Sequence, residues 1–256
     1  MSEYSFAGKI ALVTGASTGV GEGIARALYE RGATVVITSR HMSEVQETAD
    51  NIDPSGSRVI GKEVDVTVAK AVEDLIQEIR EEFGALHHLV NNAGITGPHQ
   101  TGIEDYDINS WRQVIDTNIN GTFYTLKYAL PLMENSSSPD SEATVVNISA
   151  VNGLVGIPGI SPYTATKHAV IGITQSVALE FAERNVRVNA VAPGYVSTPK
   201  IQALPEETQQ WMSSQHPMKR MATMTEVANT VLFLLSPLTG FTTGSVYPID
   251  GGFLAQ

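Results

Sequence analysis

The chain has 256 residues, of which 42% are hydrophobic, with no cysteine and a formal net charge of −11. This length suits one α/β domain with a full core, and the absence of cysteine excludes disulfides and thiolate metal sites. The acidic balance disfavours nucleic acid and anionic membrane surfaces as partners, because both would repel it.

The opening segment MSEYSFAGKIALVTGAS is polar and runs directly into a strand pattern, unlike a secretory signal, so a cytoplasmic location is expected. No apolar run approaches a membrane span. In chain order, runs rich in Val and Ile read as strands at Lys9–Thr14, Thr34–Ser39, Arg58–Val64, Leu86–Asn91, Thr144–Ile148, Arg187–Val191 and Ser245–Ile249. Most show no polar–apolar alternation, as expected of strands buried on both faces of a parallel sheet. Helical patterns lie between them at Gly21–Arg31, Ser43–Ile52, Ala69–Phe83, Asn109–Met133, Tyr163–Arg184 and Thr225–Leu235. Strand–helix alternation with short connectors predicts right-handed βαβ units and a doubly wound α/β sheet. No repeat or linker divides the chain, so residues 1–256 read as a single dinucleotide-binding and catalytic domain. Glu134–Glu142 reads as a polar surface loop. Lys200–Thr223, which contains Pro205, Trp211, His216 and three methionines, breaks the rhythm and reads as either a substrate lid or packing filler.

Thr14-Gly15-Ala16-Ser17-Thr18-Gly19-Val20-Gly21 follows the first strand and opens the first helix. Gly15 permits a tight turn, Gly19 lets backbone approach a pyrophosphate, and Gly21 allows close helix–strand packing. The helix N-terminus offers unpaired N–H groups and a partial positive charge to phosphates. The second strand ends in Thr38-Ser39-Arg40, with no carboxylate for a ribose 2′-hydroxyl and a guanidinium suited to a 2′-phosphate. NADP(H) is therefore expected over NAD(H). Asp65, at the end of the third strand, would accept from an adenine amino group or cap the helix from Ala69. Asn91-Asn92-Ala93-Gly94 ends the fourth strand, at the edge where open α/β sheets hold ligands.

Tyr163 and Lys167 lie four residues apart at the start of a predicted helix, so a phenol and an ammonium share one face. A cation beside a phenol stabilises the phenolate and lowers its pKa from ~10, towards a proton donor and acceptor usable near neutral pH. Alone, the pair would pass for surface neighbours. No rival chemistry competes: His41, His87, His88, His99, His168 and His216 show no metal-ligand spacing, and the Gly-x-Ser-x-Gly elbow of hydrolases is absent.

Taken together, Gly15/Gly19/Gly21, Asn91-Asn92-Ala93-Gly94, Asn118-Ile119-Asn120-Gly121, Tyr163-x-x-x-Lys167, Pro193-Gly194 and Asp250-Gly251-Gly252 resemble the short-chain dehydrogenase/reductase family over essentially the whole chain. The resemblance implies a Rossmann-type, seven-stranded parallel sheet with helices on both faces. It implies an oxidoreductase that interconverts a small-molecule secondary alcohol and a ketone, with Tyr163 as general acid/base. Lys167 would bind the nicotinamide ribose, Asn118 would hold a relay water at a local break in the long fourth helix, and Thr198 would reach the carboxamide. The implied coenzyme cradle also takes in Ser17, Thr18, Val20, Ser39, Val66, Ala93, Gly94, Pro193, Gly194 and Val196. Read without the family, Asn118 is a buried amide that satisfies backbone groups. Ile157, Tyr195, Trp211 and Met212 would line an apolar pocket or fill core. A homotetramer is expected, partly because Ile115, Phe123, Leu126, Ile173, Val177 and Phe181 put apolar surface on more than one face of the two long helices.

One position departs from the pattern. The family's serine lies thirteen residues before the tyrosine, and here that residue is Ala150. Ser149 is next to it and, on a strand, should point to the opposite face. An active enzyme, one disabled by a natural or engineered change at Ala150, and a nucleotide-binding sensor that has lost turnover all remain open.

Overall fold

A computed structural model of the chain describes residues 4–137 and 142–256; of the expected Glu134–Glu142 loop, residues 138–141 lie outside the described residues, and the start, through Ser136, is helical instead. Seven strands form one parallel sheet: β1 (Ile10–Val13), β2 (Thr34–Ser39), β3 (Val59–Glu63), β4 (His88–Asn91), β5 (Ala143–Ile148), β6 (Val186–Pro193) and β7 (Val246–Ile249). Their spatial order is β3-β2-β1-β4-β5-β6-β7, and their number and parallel pairing are those the family resemblance implies. The order reverses between β1 and β4, which pair directly (Leu12 opposite Leu89), and it is at such a reversal that an open α/β sheet opens a crevice.

The missing alternation has a direct cause. Ala11, Val13, Val35 and Ile37 point into a core shared with α1 (Gly19–Glu30), α2 (Met42–Ile52) and α9 (Met224–Leu235). Leu12 and Val36, one residue out of phase, point into a second core with α3 (Ala69–Phe83), α5 (Gly121–Ser136) and α6 (Ser161–Phe181). Both faces are apolar because both are covered. The edge strands β3 and β7 are the most open.

The fourth predicted helix is longer than its pattern suggested. It begins as α4 (Ile108–Ile115), passes through a π-helical turn at Asp116–Asn120 and continues as α5 to Ser136. The break expected at Asn118 is thus one wide turn within a continuous helix. Lys200–Thr223 is also more ordered than expected, since α7 (Pro199–Gln202) and α8 (Glu206–Ser214) lie there. α8 was hidden because its sequence, EETQQWMSS, has no apolar stripe and none of its residues is buried. Among the described residues no helix is long and apolar enough to cross a membrane.

Candidate active site

The carboxyl ends of β1, β4, β5 and β6 converge on one crevice, and the turn after β1 forms its floor. Gly15 has φ +62°, and a Cβ there would lie 2.7 Å from the Ala93 Cα, so only glycine fits between the β1 and β4 ends. The Asn92 carboxamide donates to the Thr14 and Gly15 carbonyls at 2.9 and 2.8 Å, and Thr14 Oγ1 accepts from the Asn92 and Ala93 N–H groups. A Cβ on Gly21 would strike that same Asn92 amide and sit 2.7 Å from the Gly15 carbonyl oxygen. Thr18 precedes α1 in extended conformation, and its side chain does not cap the helix. The result is a glycine-walled cradle against a helix N-terminus without a side-chain cap, a geometry that fits a dinucleotide pyrophosphate. Ser17, Thr18 and Val20 ring it, and Ser17 is pinned through its carbonyl by the Thr48 hydroxyl at 2.7 Å.

At the end of β2, Ser39 is buried and Arg40 is exposed. Two carboxylates share this corner: Ser39 Oγ donates to Glu44 at 3.5 Å, and the Met42 N–H donates to Glu63 at 2.8 Å. Neither carboxylate is next to Arg40 in sequence: Glu44 comes from the first turn of α2 and Glu63 from the end of β3. Asp65 does not cap α3, whose N-cap is Val68; its Oδ1 instead accepts from the Thr67 N–H and hydroxyl at 2.9 and 2.8 Å. Of the two roles weighed for Asp65, capping is excluded. Val66 is buried, and a Cβ on Gly121 would lie 2.8 Å from its Cγ2, so the β3 end is held against the start of α5.

Tyr163 and Lys167 occupy the first turns of α6, with Lys167 Nζ 5.5 Å from the centre of the Tyr163 ring. Pro162, within the first turn, presets the backbone where no N–H partner is needed. Lys167 is buried and donates to the Ile148 carbonyl at 2.7 Å. Burial pushes the Tyr163 phenol up to about 12 and the Lys167 ammonium down to about 8. This corrects the expectation of a lowered phenol: in the protein's own field, desolvation outweighs the attraction of an ammonium that is turned towards the Ile148 carbonyl.

Asn118 joins this group through its carboxamide. Oδ1 accepts from the Ile95 N–H at 2.8 Å, and Nδ2 donates to the Ile95 carbonyl at 2.9 Å and to Thr166 Oγ1 at 3.0 Å. The Thr166 hydroxyl in turn donates to the Tyr163 carbonyl at 2.8 Å. Asn118 thus ties the segment after Asn91-Asn92-Ala93-Gly94 to the helix that carries Tyr163. A Cβ on Gly94 would lie 3.2 Å from Asn118 Oδ1 and 3.6 Å from Lys167 Nζ, which brings the three motifs into one place. This is the backbone-satisfying role that the residues alone suggested. Both N–H groups of the carboxamide are committed.

Ser149 does not stand in for the missing serine. Its hydroxyl is buried and donates to the Lys167 carbonyl at 2.9 Å, and a Cβ on Gly153 would collide with it. Ala150 follows in extended conformation and leads into a short 3-10 turn, Val151–Gly153. A polar residue the sequence reading passed over lies in that turn: Asn152 is buried, with Nδ2 3.4 Å from Thr164 Oγ1. Its only signal was position, two residues after Ala150.

β6 ends at Pro193 and gives way to a segment that folds back over the glycine turn. The Gly194 N–H donates to the Ile249 carbonyl at 3.0 Å, Val196 bridges to Ala222, and a Cβ on Gly19 would lie 3.4 Å from Thr198 Cγ2. Thr198 also caps α7, accepting from the Ile201 N–H at 3.4 Å. Beyond it, the Tyr195 and Trp211 rings meet edge to face at 5.8 Å, and Trp211 is 52% exposed, so neither is simple core filler.

A doubly wound sheet, a glycine cradle at its reversal and a Tyr–Lys pair at its mouth define a dinucleotide-binding α/β protein. The model of the family described as enoyl-(acyl carrier protein) reductase matches residues 15–254. Among curated proteins, the chain is similar to a cyclohexanol dehydrogenase of Acinetobacter sp. strain SE19, at 36% identity over 98% of this chain and 97% of that one. It is similar also to a cis-4-hydroxycyclohexanecarboxylate dehydrogenase of Sinomonas cyclohexanicum, at 38% identity over 98% of each. Among solved structures, ElxO with NADP bound superposes with a TM-score of 0.90 at 36% identity, over 97% of this chain and 99% of that one. The chain belongs to the short-chain dehydrogenase/reductase family of oxidoreductases.

Proposed function

We propose that this protein is an NADP(H)-dependent oxidoreductase that interconverts a secondary alcohol and a ketone, with Tyr163 as its general acid/base. The observation that carries the reading is the meeting of Tyr163, Lys167, Asn118 and Gly94 beside the glycine cradle. Two relatives named for alicyclic alcohols support a cyclic secondary alcohol or its ketone as the substrate class. We assign the pyrophosphate to Gly15, Ser17, Thr18, Gly19, Val20 and Gly21, and the adenosine half to Ser39, Arg40, Asp65 and Val66. The nicotinamide half falls to Asn92, Ala93, Gly94, Tyr163, Lys167, Pro193, Gly194, Val196 and Thr198.

When bound, NADP(H) supplies or accepts the hydride. The chain's own share is orientation and proton handling. In the protein's own field, Tyr163 keeps its proton at neutral pH, so its hydroxyl is a donor for a substrate oxygen gaining negative charge. Lys167 is held beside it by the Ile148 carbonyl, ready to serve ribose hydroxyls. We assign the relay water to Asn118, whose carboxamide N–H groups are both committed and whose peptide carbonyl accepts from the Thr122 hydroxyl at 2.8 Å.

Arg40 supports preference for a 2′-phosphate, and the neighbouring Glu44 and Glu63 carboxylates limit that preference. The expected margin is therefore about 1.5 kcal/mol, at the low end for a charge-assisted hydrogen bond. Fluorescence titration with NADPH and NADH tests it: NADPH should bind more tightly in the parent, and Ser39→Asp combined with Arg40→Leu should reverse the order. Equal affinities in the parent would refute the preference. A second reading, favoured by Ala150 and by the committed Ser149 hydroxyl, is a coenzyme-binding protein with little turnover. Tight NADPH binding without oxidation of NADPH by any of a panel of cyclic ketones would favour it.

A further inference from the structure

His216 lies outside every motif that marks the site, yet it is buried at the junction of three segments that shape it. Its Nδ1 lies 2.6 Å from the Asp250 carbonyl oxygen, which can only accept, so Nδ1 carries the proton. Its Nε2 accepts from the Tyr195 N–H at 3.2 Å. The ring is therefore bonded to backbone at both ends, donating from Nδ1 and accepting at Nε2. Around it, the Tyr195 and Phe253 rings each lie 5.8 Å away, and a Cβ on Gly194 would collide with its Cε1. The Asp250 carboxylate is engaged elsewhere, accepting from the Gly252 and Leu254 N–H groups at 3.0 and 2.9 Å.

We infer that His216 is a positioning residue: it clamps the segment from Pro193 to Thr198 to the Asp250-Gly251-Gly252 turn, in the shape that receives the nicotinamide half of the coenzyme. This rests on the coenzyme assignment above. Gly194 has no other way to pack, because its missing Cβ is the space the imidazole fills. The segment's other backbone ties, Gly194 N–H to the Ile249 carbonyl, Ala222 N–H to the Tyr195 carbonyl and Ser197 N–H to the Ala222 carbonyl, hold it to the sheet and to the loop before α9, while the Tyr195 N–H is held by His216. Thr198, which overhangs Gly19, is three residues beyond that peptide, so a shift at Tyr195 moves the wall of the cradle. A displacement of ~1 Å in a positioning element can cost on the order of 10²-fold in rate.

The test compares the parent with His216→Phe, which keeps a ring and removes both hydrogen bonds, and His216→Gln, which keeps one donor and one acceptor. Hydrogen exchange should speed at the Tyr195 amide in His216→Phe and return towards parent in His216→Gln. The dissociation constant for NADPH should rise about tenfold or more in His216→Phe, while that for adenosine 2′,5′-bisphosphate, which lacks the nicotinamide half, stays unchanged. The glutamine variant should restore NADPH affinity. A merely structural role would weaken both ligands together or neither, and either result overturns the inference. A parent that binds the bisphosphate but neither NADPH nor NADH would instead overturn the coenzyme assignment, and the inference with it.

Discussion

Ala150 is the residue whose chemistry differs most from what the site around it calls for. The hydroxyl a serine would offer there donates to a substrate oxygen as charge develops, and such a donor in a preorganised site is worth on the order of 10²–10³ in kcat. Ser149 cannot supply it, because its hydroxyl is bonded to the Lys167 carbonyl within a space closed by Gly153. Ala150→Ser should therefore raise kcat for a cyclic ketone by about that factor, with coenzyme affinity unchanged. Steady-state kinetics of the two proteins on one accepted ketone decides this. A ratio near one would mean that a water or Asn152 already fills the gap. At this scale the sequence was a good guide to identity and a poor one to environment. The spacing of Tyr163 and Lys167 follows from helical geometry, so it was legible. The state of the pair was not, because burial and the Ile148 carbonyl come from distant residues.

β4 carries an elemental liability at its first residue. His88 is buried between β1 and β5, with Nδ1 2.7 Å from Thr144 Oγ1 and, among the described residues, no hydrogen-bond partner for Nε2. Burial holds the imidazole down at about 3 rather than the ordinary 6.5, so the folded chain keeps it neutral while the unfolded chain protonates it. The sign follows: its contribution is intact above about pH 6.5 and is lost as pH falls, at ~1.4 kcal/mol per unit until about pH 3. Urea unfolding at pH 6.5 and pH 5 should show ~2 kcal/mol more loss in the parent than in His88→Gln, which keeps a group for Thr144. Identical pH dependence in both would contradict this. Element boundaries show what a single chain reveals. β2, whose run of TVVITS is β-branched and buried throughout after its first residue, was found at its full length. The π-helical turn at Asp116–Asn120 was not visible as such, since its cause lies in Asn118 bonding Ile95 and Thr166, 23 and 48 residues away. The short helices α7 and α8 bury none of their residues, so no apolar periodicity marks them in the sequence.

The whole molecule presents apolar surface that its own core does not use. On α5 Phe123 is 49% exposed, and on α6 Leu179 is 80% exposed, although both helices bury another face against the sheet. Such surface on the two long helices suits a self-complementary interface, and we expect a homotetramer with dihedral symmetry. Light scattering should return four times the 27.4 kDa chain mass, and Leu179→Asp should lower it; a stable parent monomer at micromolar concentration would refute the assembly. The central claim, an oxidoreductase whose proton passes through Tyr163, is tested most directly by Tyr163→Phe. Phenylalanine keeps the ring and its packing and removes only the hydroxyl that carries the proton. Turnover of NADPH with a cyclic ketone and the dissociation constant for NADPH should be measured side by side in parent and variant. We predict turnover lost in the variant with NADPH affinity nearly unchanged; a Tyr163→Phe protein that keeps most of the parent's activity would contradict the account.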